Sequence, residues 1–99
     1  MKNFRTFTLA VKFYQQSRNL PLRGPLREQL TRASSSIALN LAEGRGKPTV
    51  KDQKRFFSIA LGSLRECQAI LALENLQETE IWILLGKVGA HLYRLIERA

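Results

Sequence analysis

The chain has 99 residues, 44% hydrophobic and 24% charged, with 16 Lys and Arg against 8 Asp and Glu for a formal net charge of +8. That length and composition suit a single globular domain, and no uncharged run approaches the roughly 20 apolar residues that span a bilayer. Cys67 is the only cysteine, which excludes an internal disulfide and fits a reducing, cytoplasmic setting. The opening MKNFRTFTLAVKFYQQ has neither the apolar core nor the cleavage site of a signal peptide.

The charge is unevenly spread. Residues 1–22 hold four cations and no acid, residues 23–65 nine cations against three acids, and residues 66–99 three cations against five acids. A basic excess concentrated in one part of a domain implies an anionic partner, with nucleic acid the first choice; the competing reading is a basic surface that only keeps the protein soluble.

The first helix is predicted over Phe4 to Arg18. Phe4, Phe7, Val11 and Tyr14 fall on one face at helical spacing, and Leu9 and Phe13 lie on the other side, either as scattered surface apolars or because the helix packs on two sides. Asn19-Leu20-Pro21 ends it, because proline biases its predecessor away from helical geometry. The second helix is predicted to begin at Gly24-Pro25, with proline in the tolerated first position. Its inner stripe is Leu26, Leu30, Ala33, Ile37 and Leu41, and Asn40, at the stripe's edge, is expected to bond a polar side chain on a neighbouring helix. The opposite face carries Ser35, Ala38, Leu39 and Ala42, small residues and one leucine where solvent would favour Glu and Lys. That composition suits another helix, including one from a second subunit.

A connector from Gly44 to Thr49 follows, with Gly44 expected as a left-handed cap and Arg45 and Lys47 beside the last helical carbonyls. Gly-Arg-Gly-Lys lacks the spacing and the preceding strand of a phosphate-binding loop. The third helix is predicted from Thr49, with Asp52 three residues on as a shortened capping box, to about Glu74. Phe56, Ala60, Ser63, Cys67 and Ile70 or Leu71 are placed inward, so Cys67 reads as a small core residue. Gly62 costs about 1 kcal/mol relative to alanine in a helix interior, which predicts close approach of another helix there. Lys51, Lys54, Ser58 and Arg65 share the outer face, a stripe able to follow phosphates. Asn75 to Glu78 make a tight turn in which either Asn75 or Thr79 can cap the fourth helix. In that helix Ile81, Leu85, Val88, Leu92 and Leu95 or Ile96 recur every 3.5 residues or so, the spacing of bundle packing. Trp82, Gly86, Gly89 and Tyr93 form a flank, with Ile83 and Ala90 further round, and aromatics beside glycines outside the core stripe suit a subunit interface. The competing reading is that Trp82 packs over the first helix.

The motif Arg32-Ala33, Ser36-Ile37, Asn40-Leu41-Ala42-Glu43-Gly44 and Gly46, followed by Phe56, Ile59-Ala60, Gly62-Ser63 and Glu66, resembles the bacterial four-helix bundle family of 23S ribosomal RNA intervening-sequence proteins. More distantly it resembles the accessory variability protein of diversity-generating retroelements. The resemblance implies an all-α, up-down-up-down four-helix bundle of one domain (residues 1–99) that assembles into a ring, typically a homopentamer. In the retroelement branch it also implies binding of RNA or DNA and of a reverse transcriptase. The chain departs from the pattern at Lys47, where arginine is common, and before the fourth helix, where a glycine-containing segment is replaced by a short turn.

Three functions follow from these readings. The first is a non-catalytic module that binds nucleic acid through Arg45, Lys47, Lys51, Lys54 and Arg65 and self-associates through Leu39, Trp82, Ile83, Gly86, Ala90 and Tyr93. The second is an oligomeric adaptor whose basic face meets an acidic protein. The third, an enzyme, is disfavoured: the single His91 sits at the edge of an apolar stripe, no paired acids, metal-ligand cluster or nucleophile elbow is present, and no cofactor is expected. Stacking aromatics are not evident on the cationic faces, which favours binding to the nucleic-acid backbone.

Overall fold

A computed structural model describes residues 4–98, which form four helices and no strand. They are α1 (Arg5–Ser17), α2 (Gly24–Arg45), α3 (Val50–Leu73) and α4 (Glu80–Arg98). Residues 1–3 and 99, among them the Lys2 counted in the N-terminal charge, lie outside the described residues. The helices make the expected four-helix bundle, 39 × 23 × 22 Å. Each packs on two neighbours in the cyclic order α1, α2, α3, α4, with no packing across either diagonal, and α2 with α3 forms the most extensive pair.

Local chemistry sets the helix ends. Arg27, in the second turn of α2, donates to the carbonyls of Ser17, at 3.0 Å, and Leu20, so it fastens α2 to the C-terminal end of α1. Thr49 caps α3, its Oγ1 accepting the Asp52 amide at 3.2 Å, which is the Thr49 half of the expected capping box. Asn75 closes α3 instead of opening α4. Its φ of 57° is left-handed, and the amides of Asn75 and Leu76 bond the carbonyls of Ala72 (3.1 Å) and Leu71 (2.9 Å), the paired bonds of a Schellman motif. Asparagine tolerates that conformation, so no glycine is required there. Thr79 caps α4 by accepting the Trp82 amide.

The core runs along the bundle axis through Leu9, Ala10 and Phe13 of α1, Leu30, Ala33, Ile37 and Leu41 of α2, Phe57, Ala60, Leu64, Cys67 and Leu71 of α3, and Ile81, Leu85, Val88 and Leu92 of α4. Several sequence expectations are corrected here. In α1 the Leu9/Phe13 side is the core face; of the stripe on the other side, Phe4 is buried and Phe7, Val11 and Tyr14 are half-buried at the core's margin. Both stripes are apolar, and the side that meets α2 and α4 together excludes more water. Leu26 is only half-buried, and Ala38, expected on the outer face of α2, is buried. In α3 the buried phenylalanine is Phe57, with Phe56 half-buried one position, or about 100°, around the helix.

The glycines exchange roles. Helix α2 runs through Gly44 to Arg45, so Gly44 is no left-handed cap. It is buried against α3, and a Cβ there would lie 2.8 Å from Phe57 Cε1 and 3.0 Å from Phe56 Cβ. Gly62 is exposed, and a Cβ there would meet nothing within 4 Å. The close approach predicted at Gly62 therefore occurs at Gly44. Polar groups bridge the same helix pair: Asn40 Nδ2 donates within its own helix to the Ser36 carbonyl (2.9 Å) and Ser36 Oγ (3.0 Å), and Ser36 Oγ meets Ser63 Oγ of α3 at 2.8 Å. Asn40 thus reaches the neighbouring helix through Ser36. By length and composition alone α3 is long and apolar enough to cross a membrane, and 33% of its most apolar window is buried inside the bundle.

Opposite responses are expected at the two glycines. Gly44→Ala should lower stability by about 1–3 kcal/mol, because the new methyl drives into a phenyl ring held on the neighbouring helix. Gly62→Ala should raise it by up to about 1 kcal/mol through helix propensity. Urea unfolding followed by circular dichroism measures both, and a stabilising Gly44→Ala would show that the α2–α3 contact is loose.

Candidate nucleic-acid interface

The end of α2, the connector at 46–49 and the start of α3 form a corner, and Phe4 at the start of α1 lies against it. Arg45, Lys51, Lys54 and Arg55 are exposed there and Lys47 is half-buried. Arg45 occupies the last turn of α2, where the negative end of the helix dipole favours a cation. Lys51 and Lys54 are placed differently. They lie in the first turns of α3, at the positive end of its dipole, where cations are disfavoured and only Asp52 offers a compensating charge. The two helix ends that meet at the corner carry opposite partial charges, so its positive potential comes from the side chains.

Aromatic rings order several of these cations. The Arg45 guanidinium carbon lies 4.4 Å from the centre of the Phe4 ring. Lys47 Nζ and the Arg55 guanidinium carbon lie 5.1 and 4.6 Å from that of Phe56. Such contacts contribute about 0.5–1 kcal/mol at exposed sites and hold the charge without neutralising it. The single ion pair among the described residues joins Lys47 to Glu43, at 3.2 Å. Gln53 Nε2 donates to the Lys47 carbonyl at 2.9 Å and holds the connector against α3.

Two open cavities flank the corner. One, of about 330 Å³, lies at the end of the bundle between Arg45 and Arg98, with Phe57, Val50 and Gln53 in its wall. The other, of about 340 Å³, lies on the outer face of α3 among Lys51, Asp52, Lys54, Arg55 and Ser58. The structure thus groups Arg45, Lys47, Lys51 and Lys54. Arg65 stands apart, about 21 Å along α3 from Lys51 at 1.5 Å per residue, and donates from Nη2 to the Tyr93 hydroxyl at 3.0 Å. Arg55 and the rings of Phe4 and Phe56 belong to the corner and were missed in the sequence. The adjacency of Arg55 and Phe56 was visible, but Phe4 is brought in only by the fold.

The residues assigned to self-association lie on two separate surfaces. Leu39 is 66% exposed and borders an apolar groove of about 330 Å³ between α1 and α2, shared with Phe7, Val11 and Tyr14. On α4, Ile83 and Tyr93 are 55% and 49% exposed and Gly86 and Ala90 are open to solvent, whereas Trp82 is half-buried against the core. Gly89 packs near Leu64, whose methyls lie 3.6 and 3.7 Å from the position of a Cβ.

The two side chains with reactive chemistry lie elsewhere. His91 is half-buried on α4, and desolvation, followed by the positive charges of Arg94 and Arg5, lowers its pKa. Cys67 is fully buried in α3, and burial, followed by the charge of Glu66, pushes its thiol up to about 12. Among the described residues no cluster of His, Cys, Asp and Glu can hold a metal.

A comparison with protein-family models matches residues 4–92 to the 23S rRNA-intervening sequence protein family. Searches of curated proteins and of solved structures give no match.

Since the thiolate is the reactive form, Cys67 in the folded protein should resist a thiol reagent such as 5,5′-dithiobis(2-nitrobenzoic acid) at pH 8. In urea it should react fully. Rapid native labelling at the unfolded rate would place Cys67 outside the core.

Proposed function

The chain belongs to that family of 23S rRNA-intervening sequence proteins, and we propose that it is a non-catalytic, self-associating protein that binds nucleic acid through phosphate contacts at the α2–α3 corner. One observation carries this reading: Arg45, Lys47, Lys51, Lys54 and Arg55 crowd one corner, and only Lys47 is paired with an acid. Crowded cations repel one another and, at the start of α3, oppose the helix dipole. A polyanion relieves both terms at once, and release of its counterions drives binding.

Self-association rests on the two apolar surfaces. The Leu39 groove and the Ile83/Tyr93 flank are different patches, so a contact between them is heterologous, and a heterologous contact that closes makes a ring. A ring repeats the corner in every subunit and multiplies weak phosphate contacts. The family resemblance makes five subunits the first choice. Light scattering at tens of micromolar should give a mass several times the 11.3 kDa of one chain, with Leu39→Glu shifting it downward; an 11 kDa species for the unaltered protein would refute assembly.

Binding should depend weakly on sequence and fall steeply with salt. In a salt titration with labelled RNA and duplex DNA, Lys51→Ala with Lys54→Ala should weaken both complexes alike. It should also flatten the logarithmic salt slope by about 2 per protomer engaged. No binding at about 50 mM salt, or an unchanged slope, would favour an adaptor whose basic corner meets an acidic protein.

A further inference from the structure

Resting on that reading, we propose that the corner is built for single-stranded nucleic acid, with the guanidinium planes of Arg45 and Arg55 serving as shelves on which unpaired bases stack. Each arginine already lies on a phenylalanine, 4.4 Å from the centre of Phe4 and 4.6 Å from that of Phe56. A guanidinium drawn to a ring on one side leaves its other side open to an incoming base. Both side chains are exposed, and neither has an acid partner among the described residues.

Each arginine also borders a space of suitable size. Arg45 edges the cavity of about 330 Å³ at the bundle end, and Arg55 edges the one of about 340 Å³ on α3. These lie at the small end of the range for ligand pockets. In the first, Phe57 and Val50 supply an apolar wall, Arg98 a second cation and Gln53 an amide able to bond a base edge. In the second, Lys51 and Lys54 are placed to take the flanking phosphates. Bases inside a duplex are stacked on each other and cannot enter either space, whereas unpaired bases stack readily on arginine planes. A corner that needed charge alone would be served equally by lysine, so the stacked arginines are the feature that discriminates between strand forms.

The test compares three labelled 12-mers at matched salt: a single strand, its duplex, and a single strand with abasic sites at alternate positions. The unaltered protein should bind the single strand about fivefold or more tightly than either of the others, the effect of stacking one or two bases. The variant Arg45→Lys with Arg55→Lys keeps every charge. It should lose that preference, with the intact single strand falling to the affinity of the abasic strand in the same variant, and circular dichroism will confirm that it folds. Equal binding of the intact and abasic strands by the unaltered protein, or a preference that survives in the lysine variant, overturns the stacking shelves and leaves phosphate binding standing. Absence of binding to all three overturns the shelves together with the reading beneath them.

Discussion

The approach of α2 to α3 at Gly44 is the constraint on which the rest of the molecule depends. A glycine there lets the last turn of α2 settle against Phe57 and Phe56, at separations a side chain would not permit. From that contact the connector can be four residues long, and the cations on either side of it are forced into one corner. The hydroxyl pair Ser36–Ser63 extends the same interface along the helices, with Asn40 holding Ser36. No buried side-chain nitrogen or oxygen among the described residues is left without a partner. This seam is therefore polar at little cost, since the expense of burying a hydroxyl arises when its hydrogen bond is lost.

A corner so crowded with positive charge must be stabilised by something other than ion pairs. Aromatic rings do that here. Phe4 sits under Arg45, packs 6.3 Å from Phe7 and 6.5 Å from Phe57 between ring centres, and so ties the start of α1 to the far end of α2. Phe56 holds Lys47 and Arg55 in the same way. A ring quadrupole attracts a cation without cancelling its field, which leaves the corner both ordered and available to an anion. Structure and proposed function draw on the same contacts, since the rings that seal this end of the core also orient the charges above it.

The cyclic packing of four helices has a second consequence. Each helix buries the side turned to its two neighbours and leaves the opposite side outside. In α2 and α4 that outer side carries Leu39 and Ile83, exposed apolar groups on different parts of the surface. The basic corner lies at one end of the bundle, and the Leu39 groove reaches toward it through Phe7, which stacks on Phe4.

The sequence alone determined the four helices and most of their ends, because these depend on neighbours in the chain. Pro25 opens α2, Thr49 caps α3 through the Asp52 amide, and the heptad-like leucines of α4 specify a bundle. Arg45, Lys47, Lys51 and Lys54 could likewise be assembled from adjacency alone, as they straddle a single connector. What the tertiary structure decided is which side of each helix the neighbours cover. Phe57 rather than Phe56, Leu9 and Phe13 rather than Phe7 and Val11, and Gly44 rather than Gly62 were chosen by the crossing of distant segments. Where a helix is apolar on more than one side, a single position turns a residue about 100°, and only the packed partner says which direction is inward. The same holds for Phe4 beneath Arg45: the two are 41 positions apart in the sequence, and nothing local to either brings them together.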